Sequence, residues 1–260
     1  MFTSLLTRVR EDVRNTKNLA MLHEYARQLF HDVKPGDPWE GVRHNDPGKT
    51  LWQIYDHCAC LTRLYAIYAI FVEELISEYL RMLPQLYENY SELPQAVSRQ
   101  HRAGFGQILL KLGDVGPYSH LREMDIIPQL SHSLTGGRPY TLLSDAFFVD
   151  RHNYRADILA KLLGSVGIED ASSQIARHPR MRGFLAERIG GSATFESELN
   201  NFVKLRNEAA HSEVTEVIGS AKFQSIADLL VVLCEILAEI FSATHSCAGF
   251  RSGNLSSSAS

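Results

Sequence analysis

The chain has 260 residues, of which 45% are hydrophobic, enough to bury one large core or two small ones. A formal net charge of -4 excludes a generally basic protein that coats nucleic acid without regard to sequence, so any nucleic-acid contact must be local. Four cysteines without disulfide-framework spacing suit a reducing cytoplasm, and the apolar runs are too short or too interrupted for a signal sequence or a membrane span.

The first half of the chain is dominated by helical periodicity. Apolar residues predict one or two helices over 3–31 and a long helix over 51–90, kinked or ended by Pro84. The segment 34–48 between them is dense in proline and glycine, which indicates a surface loop. Helices are also predicted over 94–112 and 118–134, the second containing Pro128. Residues 140–149 are predicted to form a short strand or an extended piece.

Helices also dominate the second half. Asn153 is predicted to cap a helix that closes near Gly164, and short helical pieces follow over 171–189. Thr194 is predicted to cap the next helix, which turns Leu199, Phe202 and Leu205 inward. A closing helix is predicted over 220–244.

These elements predict an all-α protein, an up-and-down helical bundle with an elaborated middle region. We divide the chain into four parts by composition. They are an N-terminal helical extension (1–33), a proline- and glycine-rich loop (34–48), a helical domain (49–244) and a flexible tail (245–260).

The most informative stretch is the sequence RNEAAH, which runs from Arg206 to His211 at the predicted end of the helix after Thr194. Arginine is always charged and offers a planar fork to phosphate oxygens, while histidine exchanges protons near neutral pH. This pair suits phosphodiester chemistry. On an ideal helix the two residues lie about 140° apart in azimuth, so one straight helix would not direct them at one phosphate. Either the helix ends before His211 or a second copy of the chain supplies the missing groups.

The pattern Arg, polar residue, three more and His resembles the R-x4-H motif of HEPN domains, many of which are metal-independent ribonucleases. The resemblance is strongest over 195–240. It extends to residues 148–155 and to the long apolar helix from Leu51, which are similar to the RiboL-PSP-type and MAE-type branch. The resemblance implies a helical bundle that dimerises to form a shared cleft.

The resemblance also implies a function. His211 would act as general base or acid on an RNA 2'-hydroxyl, and Arg206 would steady the phosphorane charge. Independently of the resemblance, Asn207 lies four residues before His211 on the same helix face, so its amide can orient the imidazole or share a substrate contact, and Glu208 could do likewise. No metal and no cofactor are implied, because the 2'-hydroxyl is an internal nucleophile. The implied protein is a cytoplasmic homodimer that cuts cellular or phage RNA as a toxin or an antiviral effector. An antitoxin or defence-system protein would be its partner, although Glu213 stands where some such toxins carry a tyrosine that the partner modifies.

Other interpretations stay open. An arginine and a histidine at a helix end also interact favourably with the helix dipole, so the motif fits a catalytically inactive module that binds RNA or a protein. A basic segment could hold RNA backbone near the cleft, chiefly through Arg177, Arg180 and Arg182, or form a solvated face. Its members are Arg177, His178, Arg180, Arg182 and Arg188. Asn153 and Arg155 are interpreted as a helix cap and a surface charge, and the alternative is that they border the cleft. The thiols of Cys58 and Cys60 lack the further ligands that a zinc site needs and are predicted to be buried.

Overall fold

The computed structural model describes residues 1–34, 36–38, 49–112, 118–136, 139–149, 153–187, 193–211 and 218–256. Within these ranges the protein is all-α, with nine α-helices and two 3-10 helices, which confirms the predicted fold class. The α-helices are α1 (Thr3–His31), α2 (Lys49–Leu86), α3 (Gln95–Lys111), α4 (Glu123–Thr135), α5 (Ala156–Ser165), α6 (Ala171–Arg177), α7 (Pro179–Ala186), α8 (Phe195–Ala210) and α9 (Ser220–Ser256). The 3-10 helices are Tyr90–Glu92 and Ser144–Phe147.

α2 lies at the centre of the bundle because its apolar face is broad enough to meet three partners. It packs against α1, α8 and α9. Its fully buried side chains recur at helical spacing: Leu61, Leu64, Tyr68, Phe71, Leu75, Ile76, Leu80 and Leu83. The helix ends at Leu86, soon after Pro84, whose ring removes a backbone donor.

α1 runs antiparallel to α2, and ion pairs at both of its ends show this direction. Arg8 pairs with Glu74, while Arg27 pairs with Asp56, which lies earlier in α2. α1 also packs against α9 and buries three side chains in the common core: Phe2, Val9 and Val13. No helix within the described part of the chain is both long and apolar enough to cross a membrane.

The elaborated middle region is organised around the buried His101 of α3. Its Nε2 accepts the backbone N–H of Leu143 at 2.9 Å, and its Nδ1 lies 3.0 Å from the hydroxyl of Tyr90. The strand or extended piece predicted over 140–149 is only partly correct. Residues Ser144–Phe147 form a 3-10 helix instead, because α3, and no neighbouring strand, lies beside this segment.

Several helix boundaries depart from the predictions; α2, for example, ends at Leu86 and not near residue 90. α4 begins at Glu123, later than predicted, and keeps Pro128 inside. α9 continues past the predicted end at 244 to Ser256, because each added residue of a formed helix gains a hydrogen bond without a new nucleation cost. The predicted loop over 34–48 lies almost entirely outside the described residues, and the domain limits stay a prediction.

Candidate active site

α8 carries the motif, and local sequence fixes both of its ends. The Thr194 hydroxyl accepts the Ser197 backbone N–H at 3.1 Å, and the Ser197 hydroxyl accepts the Thr194 N–H in return, forming a capping box. Thr194 therefore caps α8, as the sequence predicts. The helix ends at Ala210, and His211 is its C-terminal cap residue, with its N–H donated to the Asn207 carbonyl at 3.0 Å.

Arg206 is held by three neighbours from three parts of the chain. Its Nη1 donates to Oδ1 of Asn153 and to Oδ1 of Asn207, both at 2.9 Å. Its guanidinium carbon lies 4.1 Å from the centre of the Tyr65 ring, a cation–π contact with α2. Its Nε is buried and has no hydrogen-bond partner in the described chain. The side chain is thus half-buried with its plane and rotation fixed.

The Tyr65 ring that supports Arg206 is itself fixed. Its hydroxyl accepts the backbone N–H of Tyr154 at 2.9 Å, and the Tyr154 hydroxyl donates to Glu73 at 2.7 Å. Burial raises the pKa of the Tyr65 phenol, while the Tyr154 amide and the charge of Arg206 partly oppose this increase. Tyr65 is therefore a neutral phenol at physiological pH.

Arg155 is exposed, as predicted for a surface charge, but the role predicted for Asn153 needs correction. Asn153 does not cap α5, since Arg155 occupies the N-cap position and Ala156 is the first helical residue. The backbone N–H of Ala156 is instead satisfied by the Asn200 side chain of α8 at 3.0 Å. Asn153 is free to turn its side chain toward Arg206 because α8 replaces it as the acceptor at the start of α5.

His211 is exposed and opens onto a cleft of about 570 Å³ between α8 and the start of α5. The lining residues are Arg155, Asp157, Asn200, Lys204, Asn207, Glu208 and His211. Four of them lie on α8 and His211 directly follows it, and the spacing of four residues from 200, then three, then four, to 211 places one stripe on one helix face. This periodicity was available in the sequence and would have identified Asn200 and Lys204.

Arg206 and His211 face different neighbours within one chain, as their spacing on a helix requires. The hydrogen bonds of Arg206 go to Asn153 and Asn207, and none joins it to His211 in the described chain. Asn207 lies between the two motif residues, since its side chain accepts a hydrogen bond from Arg206 and also lines the His211 cleft. Glu208 lines the same cleft, and its carboxylate lies 3.7 Å from Lys204 Nζ, one turn earlier.

None of the described members of the basic segment lines this cleft, and Arg188 lies outside the described residues. Arg180 has carboxylate partners on α9, at 2.9 Å from Glu235 and 2.9 Å from Glu239, so its charge is locally compensated. Arg177 and Arg182 are exposed.

The cysteine prediction holds for Cys60, which is buried; burial, and then Asp56, raise its thiol pKa to about 11. Cys58 is only partly buried.

Comparison with known proteins agrees with the motif and the bundle. The family model RiboL-PSP-HEPN matches residues 42–243, which include α2 to α8 and most of α9. The chain belongs to this HEPN family. HEPN domains are all-α and are often ribonucleases or nucleotide-binding proteins. No curated protein and no solved structure matches the chain. α1 lies outside the matched range, although it packs against α2 and α9.

Proposed function

We propose that this HEPN protein is a metal-independent endoribonuclease in which His211 and Arg206 act at a cleft completed by a second copy of the chain. The observation that carries the proposal is the difference between the two motif side chains. Arg206 is held by Asn153, Asn207 and Tyr65, and no carboxylate of the described chain forms an ion pair with it. His211, in contrast, is exposed at an open cleft. A fixed cation and an accessible proton carrier are what phosphodiester cleavage requires.

The chemistry needs only groups of the protein and of RNA. A neutral His211 takes the proton of a 2'-hydroxyl, whose oxygen attacks the adjacent phosphorus. The bond from phosphorus to the 5'-oxygen breaks, and that oxygen receives a proton from a protonated histidine. Arg206 stabilises the charge on the phosphorane. The products are a 2',3'-cyclic phosphate and a 5'-hydroxyl, and the reaction draws its nucleophile from the substrate itself.

A homodimer would resolve the divergence of Arg206 and His211 within one chain. A twofold axis brings the same surface of both protomers together, so two copies of the motif meet across it. Arg206 of one protomer and His211 of its partner then address one phosphate. The same His211, protonated by the 2'-hydroxyl, can return that proton to the departing 5'-oxygen, so each site needs one arginine and one histidine.

The proposal is tested with His211→Ala, Arg206→Ala and the control His245→Ala on α9, using RNA in EDTA. We expect both motif variants to lose at least about 10²-fold in cleavage rate, because each removes proton transfer or charge stabilisation. The control should cleave as the wild type does, and circular dichroism should show unchanged helicity throughout. An RNA with a single 2'-deoxy position at the cut should resist the wild type. Equal cleavage by His211→Ala would reject the mechanism.

A catalytically inactive RNA- or protein-binding module is the alternative, and one observation favours it. Arg206 contacts Asn153, Asn207 and Tyr65 of its own chain, so the motif could serve to join α8, α2 and the segment at 153. This alternative predicts that Arg206→Ala lowers the melting temperature and that the folded wild type never cleaves RNA. The nuclease predicts activity loss with the fold preserved.

Within a cell we propose that the protein acts as a cytoplasmic toxin or antiviral effector, restrained by an antitoxin or defence-system partner. This role follows from family analogy, and the active site would be its means. Expression of the wild type should arrest growth of a bacterial host, while His211→Ala should not. Equal growth with both proteins, each shown to be soluble, would argue against a toxin.

A further inference from the structure

We propose that Asn153 is a positioning residue for the cleavage reaction: it orients the guanidinium of Arg206 through a neutral acceptor and so preserves the positive charge for a phosphate. The proposal rests on the proposed function and extends it to a residue outside the motif. Asn153 lies in the segment before α5, more than one helix ahead of α8 in the chain. Asn153 itself touches no reacting atom.

The orientation follows from where the three contacts fall on the guanidinium. The guanidinium carbon lies over the Tyr65 ring, while Asn153 and Asn207 both accept hydrogen bonds from Nη1, and together these contacts restrict rotation of the guanidinium. Nη2 makes no hydrogen bond to any residue of the described chain. Nη2 therefore remains available to donate a hydrogen bond to a ligand. Because the guanidinium is planar, the contacts at Nη1 set the direction in which Nη2 donates.

The backbone around Asn153 is firmly held, so the contact with Arg206 is more than incidental. The Asn153 carbonyl accepts the N–H of Arg155 at 2.7 Å. Its neighbour Tyr154 is 4% exposed and is tied to α2 through Tyr65 and Glu73. The backbone at Asn153 is therefore fixed to α2 through its neighbour Tyr154.

The choice of an amide is the decisive chemical point. Elsewhere in this protein half-buried or surface arginines meet carboxylates: Arg27 pairs with Asp56, and Arg180 with Glu235. Arg206 instead meets two amide oxygens, which accept hydrogen bonds without cancelling its charge. An aspartate at 153 would give a stronger, charge-assisted bond and would neutralise the cation. A purely structural contact would gain from that change, whereas a catalytic cation would lose.

The test compares Asn153→Asp, Asn153→Ala and the control Asn201→Asp, which adds the same charge at an exposed position of α8. Single-turnover cleavage of an oligoribonucleotide in EDTA and melting temperature are measured for each protein. We expect Asn153→Asp to melt at or above the wild-type temperature yet cleave at least about 10-fold more slowly. Asn153→Ala should also lose about 10-fold, through misplacement. The control should stay within about threefold of the wild type, because water and salt screen its charge.

Cleavage by Asn153→Asp at the wild-type rate would overturn the proposal while leaving the nuclease intact. If the wild type does not cleave at all, the proposed function fails, and nuclear magnetic resonance of labelled arginine side chains decides the positioning. Rotation of the Arg206 guanidinium should be slow in the wild type and at least about 10-fold faster in Asn153→Ala, since a hydrogen bond from Nη1 opposes that rotation. Equal rotation in the two proteins would overturn the positioning role.

Discussion

His101 shows how a single residue ties stability to pH in this protein. The imidazole is fully buried, and burial lowers its pKa to about 4 from an ordinary value of 6.5. Because Nε2 accepts the Leu143 N–H, Nδ1 carries the proton and faces the Tyr90 hydroxyl. The neutral tautomer is therefore part of the packing between α3 and the middle region.

The consequence for stability has a definite sign. Above about pH 6.5 His101 is neutral in both states, so its contribution is fully present. As the pH falls toward 4, His101 binds a proton in the unfolded chain but not in the folded protein, so the free energy of unfolding falls. Between pH 7 and pH 5 this loss should be about 2 kcal/mol. Urea unfolding at both pH values measures it, and His101→Gln, although less stable at pH 7, should lack this part of the decrease. A variant with the wild-type pH dependence would contradict the assignment.

The motif residues were predictable from the sequence, but their partners were not. The spacing of Arg206 and His211 already implied that they diverge on a helix, and the stripe from Asn200 to His211 was legible at helical periodicity. Tyr65 and Asn153 could not be predicted as neighbours of Arg206. Both contacts depend on how α2 and the 153 segment pack on α8, which no local pattern encodes.

At the scale of elements, α3 and the 3-10 helix Ser144–Phe147 touch backbone to backbone at one point. A Cβ placed on Gly104 would lie 1.9 Å from the Ala146 carbonyl oxygen. Gly104→Ala should therefore destabilise the protein by about 2 to 3 kcal/mol, since backbone must move to relieve the overlap. Gly106→Ala on the same helix meets open space and should be neutral or stabilise by up to about 1 kcal/mol. Equal effects of the two substitutions in urea unfolding would refute this contact.

Elements with a strong amphipathic pattern were predicted well, and those shaped by neighbours were not. α8 begins at the residue after Thr194 because its cap and first turn are local signals. The segment before α5 is different, because Asn200 of α8 satisfies the Ala156 N–H and removes the need for a local cap at Asn153. The 3-10 helix at Ser144–Phe147 likewise depends on its contact with α3.

At the scale of the whole molecule, the proposed shared cleft predicts complementation between inactive chains. Arg206→Ala and His211→Ala proteins are mixed, allowed to exchange subunits and tested for RNA cleavage. If one site takes its arginine and its histidine from different protomers, the mixed dimer contains one intact site and activity returns to about a quarter of the wild-type value, with half of the dimers mixed. No recovery, with subunit exchange shown by mass, would mean that each site draws both groups from one chain.

The central claim is that this HEPN protein cuts RNA through its own histidine and the substrate's 2'-hydroxyl. The most direct measurement is the chemical nature of the ends formed when purified protein meets RNA in EDTA, beside the His211→Ala variant. We expect 2',3'-cyclic phosphate and 5'-hydroxyl ends from the wild type and no product from the variant. Products ending in 3'-hydroxyl and 5'-phosphate, or cyclic phosphate ends from His211→Ala at the wild-type rate, would contradict it.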